Sequence, residues 1–138
     1  LILSVVGSVP ACVQRSDSSG TTGAPKAVDF VTEVKPILHD RCIMCHNRGT
    51  LPDRTSFENG ALAKKGDRQG PVILPGNAAG SRLITAVASP DFHEKVMPPV
   101  SVRVTAREIE LLRRWIDEGA EWPAGPDGEI LPHSIPLE

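Results

Sequence analysis

The chain has 138 residues, with 15 Lys and Arg against 17 Asp and Glu, a formal net charge of −2 and a pI near 6.1. That length suits one domain with a tail at either end, and the lack of a basic excess argues against nucleic acid as a partner. Aromatic residues are only 4%, Tyr is absent, and 12 Gly and 13 Pro dilute the rest, so few large side chains are available to fill a core.

Residues 1–9 are apolar apart from two serines and a glycine, and they run into Pro10-Ala11-Cys12. This resembles the end of a secretory signal, or a lipoprotein leader whose cysteine, here Cys12, takes lipid. Pro10 departs from the small residue usual in such leaders. The alternative for residues 1–13 is an extended Val- and Ile-rich strand that pairs with a neighbouring subunit, building a homo-oligomer or a larger complex. Residues 14–27 are rich in Ser, Thr, Gly and Pro without an apolar period and read as a flexible linker.

From Val28 the pattern becomes helical. Phe30, Val34, Ile37, Leu38 and Arg41 share one face, Asp29 is placed as N-cap, and Pro36 predicts a kink or a late start. His39, near the helix end, reads as exposed and polar. The helix leads into Cys42-Ile43-Met44-Cys45-His46, the C-x-x-C-H attachment signature of a c-type haem. Two thiols at this spacing can each add to a vinyl group of one porphyrin, forming two thioethers, while the following histidine ligates the iron. A C-x-x-C is also a redox dithiol or half of a zinc site. The first wants a βαβ context, and the second a further ligand pair, whereas the one other cysteine is Cys12. A buried porphyrin would also supply the apolar bulk that the composition lacks.

Beyond His46, residues 47–70 carry Pro52 and several glycines and read as a loop around one haem edge, with a short helix over residues 56–64. Val72-Ile73-Leu74 is a short apolar segment closed by Pro75-Gly76. Asn77 is placed to cap a helix whose face is Leu83, Ile84 and Val87, and Ser89-Pro90 ends it. In Met97-Pro98-Pro99, the thioether of Met97 is a soft neutral donor suited to the sixth position on haem iron, stiffened by two prolines. His93 is its rival, while Met44 lies inside the attachment motif and cannot reach the far face. Thr105-Ala106-Arg107-Glu108 is a capping box. The helix that it opens carries Ile109, Leu112 and Ile116 in one stripe, widened by Leu111 and Trp115. It pairs Glu110 with Arg114, stops at Gly119, and needs the helix before the attachment motif as partner. Trp122-Pro123 packs back, and residues 124–138 read as an extended tail with His133 exposed.

The order of Phe30, Val34-Lys35-Pro36-Ile37-Leu38, Cys42-x-x-Cys45-His46, Pro75-Gly76, Ser81-x-Leu83, Met97-Pro98-Pro99, Glu108-Ile109 and Trp115-Ile116-x-x-Gly119-Ala120-x-Trp122-Pro123 resembles the planctomycete-type cytochrome c domain. The likeness covers about residues 28–123; one departure is Asn47, where family members often have Gly. The resemblance implies an all-α, class I cytochrome c fold with long Gly- and Pro-rich loops. It also implies one covalent haem c on Cys42 and Cys45, axial iron ligands at His46 and Met97, and an exported location, periplasmic or extracellular.

The resulting expectation is a monohaem electron carrier serving redox partner proteins, not itself an enzyme, and membrane-anchored if Cys12 or the N-terminal segment attaches it. The alternative is a haem-bearing structural subunit of an extracellular filament or membrane-associated electron-transfer complex. A third reading has Met97 displaced from the iron in a sensor or peroxidase.

Overall fold

A computed structural model describes residues 25–90, 95–99 and 102–133; the apolar segment 1–13, most of the linker, His93 and residues 134–138 lie outside the described residues. The described part is helical: α1 (Lys35–Arg41), α2 (Gly60–Lys65), α3 (Arg82–Ala88) and α4 (Ala106–Asp117), joined by long loops. There are no strands among the described residues, and no helix there is long and apolar enough to cross a membrane.

The expected kink or late start at Pro36 takes the form of a change of helix type. Asp29 accepts from the Thr32 backbone N–H, and the chain first makes a wide π-type turn, Phe30–Val34, in which the Lys35 N–H reaches the Phe30 carbonyl. Pro36 then sits in the first turn of α1, where its missing N–H costs no helical bond. Phe30, Val34, Ile37 and Leu38 are buried. The stripe of α4, Leu112, Trp115 and Ile116, is buried against them, with the Phe30 and Trp115 ring centroids 5.9 Å apart. The predicted pairing of the first and last helices is therefore present. Trp122 folds back to 4.6 Å from Phe30, and its indole N–H donates to the Gly128 carbonyl at 2.7 Å. Burying each such ring contributes roughly 1.5–3 kcal/mol, so this trio anchors one side of the domain. Gly60, opening α2, lies against the Trp122 ring: a Cβ there would stand 2.8 Å from it.

The capping box forms as expected: Thr105 accepts from the Glu108 N–H, and Glu108 reaches back to the Thr105 N–H. Gly119 ends α4 at φ 113°. The loop before α3 completes that end, because the Gly76 N–H bonds the Ile116 carbonyl and the Ala78 N–H bonds the Asp117 carboxylate.

Three expectations are corrected. Asn77 does not cap α3; its side chain closes a turn onto the Gly80 N–H, and the helix starts four residues later, after Ser81. Asparagine satisfies a local turn as readily as a helix end, and spacing alone does not separate the two. Arg114 pairs with Glu118 at 3.4 Å and with the Lys26 carbonyl, not with Glu110. Residues 124–133 are not an extended tail. They turn through a 3₁₀ segment, Gly125–Gly128, bury Ile130 at 1% exposure, and tie its N–H to the Glu58 carbonyl.

Candidate cofactor-attachment site

The end of α1 shapes the site. Both the Cys42 and Ile43 N–H groups bond the Leu38 carbonyl, and the chain winds one further turn in which Cys45 and His46 N–H groups bond the Cys42 carbonyl. These bonds gather Cys42, Cys45 and His46 onto one tight turn directly after α1. Arg41 holds the N-terminal end of α4 through Glu108, at 3.3 and 3.1 Å, which fixes the attachment turn against the longest helix. Cys42 is buried and Cys45 exposed. Burial pushes the Cys42 thiol up to about 12, so it stays protonated as an S–H.

His46 is oriented by backbone. Its Nδ1 stands 3.1 Å from the Thr55 carbonyl, which can only accept, so the proton lies on Nδ1 and the Nε2 lone pair is left for a metal. Burial holds its pKa below the usual histidine value, keeping the ring neutral and competent as a ligand. Phe57 packs edge-on to it at 5.5 Å, and the Phe57 N–H returns to the His46 carbonyl at 2.9 Å. The Thr55 hydroxyl is buried beside this bond without a partner.

Asn47 closes the turn. Its amide donates to the Ile43 and Met44 carbonyls and the Thr50 hydroxyl, and its carbonyl accepts from the Gly49 and Thr50 N–H groups. The departure at this position is thus a side chain that builds the loop. Nearby, Asp53, Arg54, Asp67, Arg68 and Gln69 line a polar cleft of about 350 Å³.

Met97 comes from a separate loop and is half-buried. Its N–H bonds the Ala86 carbonyl on α3 at 3.0 Å, its neighbours Val96 and Pro98 are buried, and its peptide bond to Pro98 is cis. Arg103 straps the loop down, donating to the Pro98 carbonyl at 2.7 Å and the Ser89 carbonyl at 3.2 Å. Neither Arg103 nor Thr55 was legible as a site residue. Thr55 acts through its backbone carbonyl, which no side-chain pattern encodes. Met44, 41% exposed, stays on the outer side of the motif.

These residues fit a covalently attached porphyrin: two thiols and a pre-oriented, neutral imidazole on one turn, with an orphaned hydroxyl available to a polar group of the cofactor. Residues 42–101 match the family model described as Planctomycete cytochrome C, a family that implies covalently bound haem c. Hydrazine synthase subunit alpha of Kuenenia stuttgartiensis is 25% identical over 162 aligned residues, covering 90% of this chain and 20% of the relative. A solved structure of Kuenenia stuttgartiensis hydrazine synthase has a TM-score of 0.45 at 23% identity, over 75% of this chain and 18% of the other. The chain therefore spans about a fifth of the curated relative. That relative is by name a subunit of an enzyme, which overturns the expectation of a protein with no enzymatic role. The C-x-x-C-H motif bears on the cofactor and carries no information about whether the domain belongs to an enzyme.

Proposed function

We propose, proceeding from a chain whose residues 42–101 are a planctomycete-type cytochrome c domain, that it holds one haem c and passes single electrons within a larger redox enzyme. The observation that carries this is the Nδ1 bond from His46 to the Thr55 carbonyl, which leaves Nε2 available on the same turn of chain as Cys42 and Cys45. When bound, the haem supplies a one-electron iron couple, whose potential is raised by His/Met ligation. Cys42 and Cys45 would hold the porphyrin covalently, each adding its S–H across a vinyl double bond with every atom retained. His46 would hold the iron through Nε2, and the Thr55 carbonyl keeps its ring from turning. Met97 would supply a soft sulfur as a second iron ligand, from a loop braced by Arg103, as in a class I cytochrome c. The domain operates outside the cytoplasm, exported by the N-terminal segment.

The enzymatic context rests on the likeness to a synthase subunit, and the chain's own residues supply the relay. The double variant Cys42→Ser, Cys45→Ser tests the attachment: haem stain on a denaturing gel should vanish, and staining that persists overturns the assignment. Redox titration of the native protein should give a single one-electron wave. Two resolved waves would refute a single haem.

A further inference from the structure

We propose that His39, Asp40 and His133 form a second metal site, for a divalent transition ion of the zinc type, that clips the C-terminal segment to the end of α1. His39 lies on the last turn of α1, with its Nδ1 2.8 Å from the Asp40 carboxylate. The His133 ring, from the other end of the domain, stands 4.1 Å from the His39 ring at 61°. One donor atom from each of the three residues lies within 4.8 Å of the others. Tetrahedral ligands about 2.0–2.1 Å from a zinc ion are roughly 3.4 Å apart, so a small adjustment of exposed side chains closes the set. Two imidazoles and one carboxylate form a borderline nitrogen and oxygen set that favours zinc, nickel or copper over magnesium or calcium. The exposure of Asp40 and His133 leaves the fourth position to water.

The backbone leading to His133 is positioned. Lys35 donates to the Pro126 and Asp127 carbonyls, the Trp122 indole to the Gly128 carbonyl, and Ile130 is buried with its N–H on the Glu58 carbonyl. His133 follows three residues after that anchor, so its approach to His39 is held by the fold. Each histidine reads as an isolated exposed residue in the sequence, and only the folded C-terminal segment brings them together. None of the three belongs to the Cys42-to-His46 turn, so the site stands whether or not that turn carries haem.

The test uses the full protein as purified, with Zn²⁺ titrated against a chromophoric chelator. One equivalent should bind, and His39→Ala and His133→Ala should each weaken it by more than about tenfold. Zinc should also slow proteolytic cleavage around Leu131 in the native chain and leave the cleavage of His133→Ala unchanged. Absence of stoichiometric binding, or binding that survives both substitutions, overturns the site. The second result would place the ion elsewhere on the chain, and haem retained on a denaturing gel would still report the Cys42 and Cys45 attachment separately.

Discussion

Asn47 carries the argument at the residue scale, because a single buried amide there satisfies both the carbonyls ending the attachment turn and the amides beginning the next loop. Replacing it by Ala strands the buried Ile43 carbonyl, at about 1–3 kcal/mol, and removes four part-buried bonds whose partners water can reach more easily. Asn47→Ala should therefore lose about 2–3 kcal/mol of stability in urea denaturation. A loss below about 0.5 kcal/mol would mean that the turn is held by other contacts. Cys42, Cys45, His46 and Met97 are the residues that the sequence proposes for cofactor attachment and iron ligation, because each of those roles calls for a particular donor element, and for the first three at a fixed spacing. Asn47, Thr55 and Arg103 were not legible, since they act on backbone carbonyls and amides, which any sequence possesses.

Among the elements, α4 was the most legible: capping box, apolar stripe and terminal glycine all agree, and the helix forms between those signals. The start of α3 was misplaced because Asn77 and Ser81 compete for the same local bonds, and the Ser81 hydroxyl, bonded to the Asn77 carbonyl and the Leu74 N–H, settles the outcome. Thr105→Ala should cost about 1 kcal/mol, read by thermal unfolding; an unchanged midpoint would contradict a working cap.

The carboxylates at element ends also set an acid limit. Burial works against ionised Glu108, yet the Thr105 N–H and the Arg41 guanidinium outweigh it and hold its pKa below the ordinary 4.5. Arg82 does the same for Asp67, and Arg48 for Glu58. The unfolded chain binds protons first, so the stability from these pairs is full above about pH 5 and is lost as pH falls through the depressed folded values. Glu108→Gln should flatten part of that acid loss. Stability that rises on acidification from pH 5 would contradict the assignment.

At the scale of the whole molecule, the domain is closed by its C-terminal segment. Ile130 fills the core from a stretch that has no periodicity to announce it, because a single buried residue between Gly, Pro and charged neighbours makes no pattern. Ile130→Ala should cost about 2–4 kcal/mol in chemical denaturation. A near-neutral result would return residues 124–133 to the status of a tail. The first and last helices, by contrast, meet as their stripes predict, since two apolar faces in so small a chain have few other surfaces to bury. The all-α class is thus a local property that the residues announce, whereas the proposed enzymatic setting rests on the likeness to a synthase subunit of which this chain spans about a fifth. The central claim is a covalent haem held between His46 and Met97. Its most direct measurement is the absorption spectrum of the purified protein, oxidised and reduced, through the near-infrared band that reports sulfur on iron, beside the same spectrum of Met97→Ala. The account predicts a haem spectrum whose sulfur-to-iron band disappears in the variant. A colourless protein would contradict the haem, and a band unaltered in Met97→Ala would contradict the ligand.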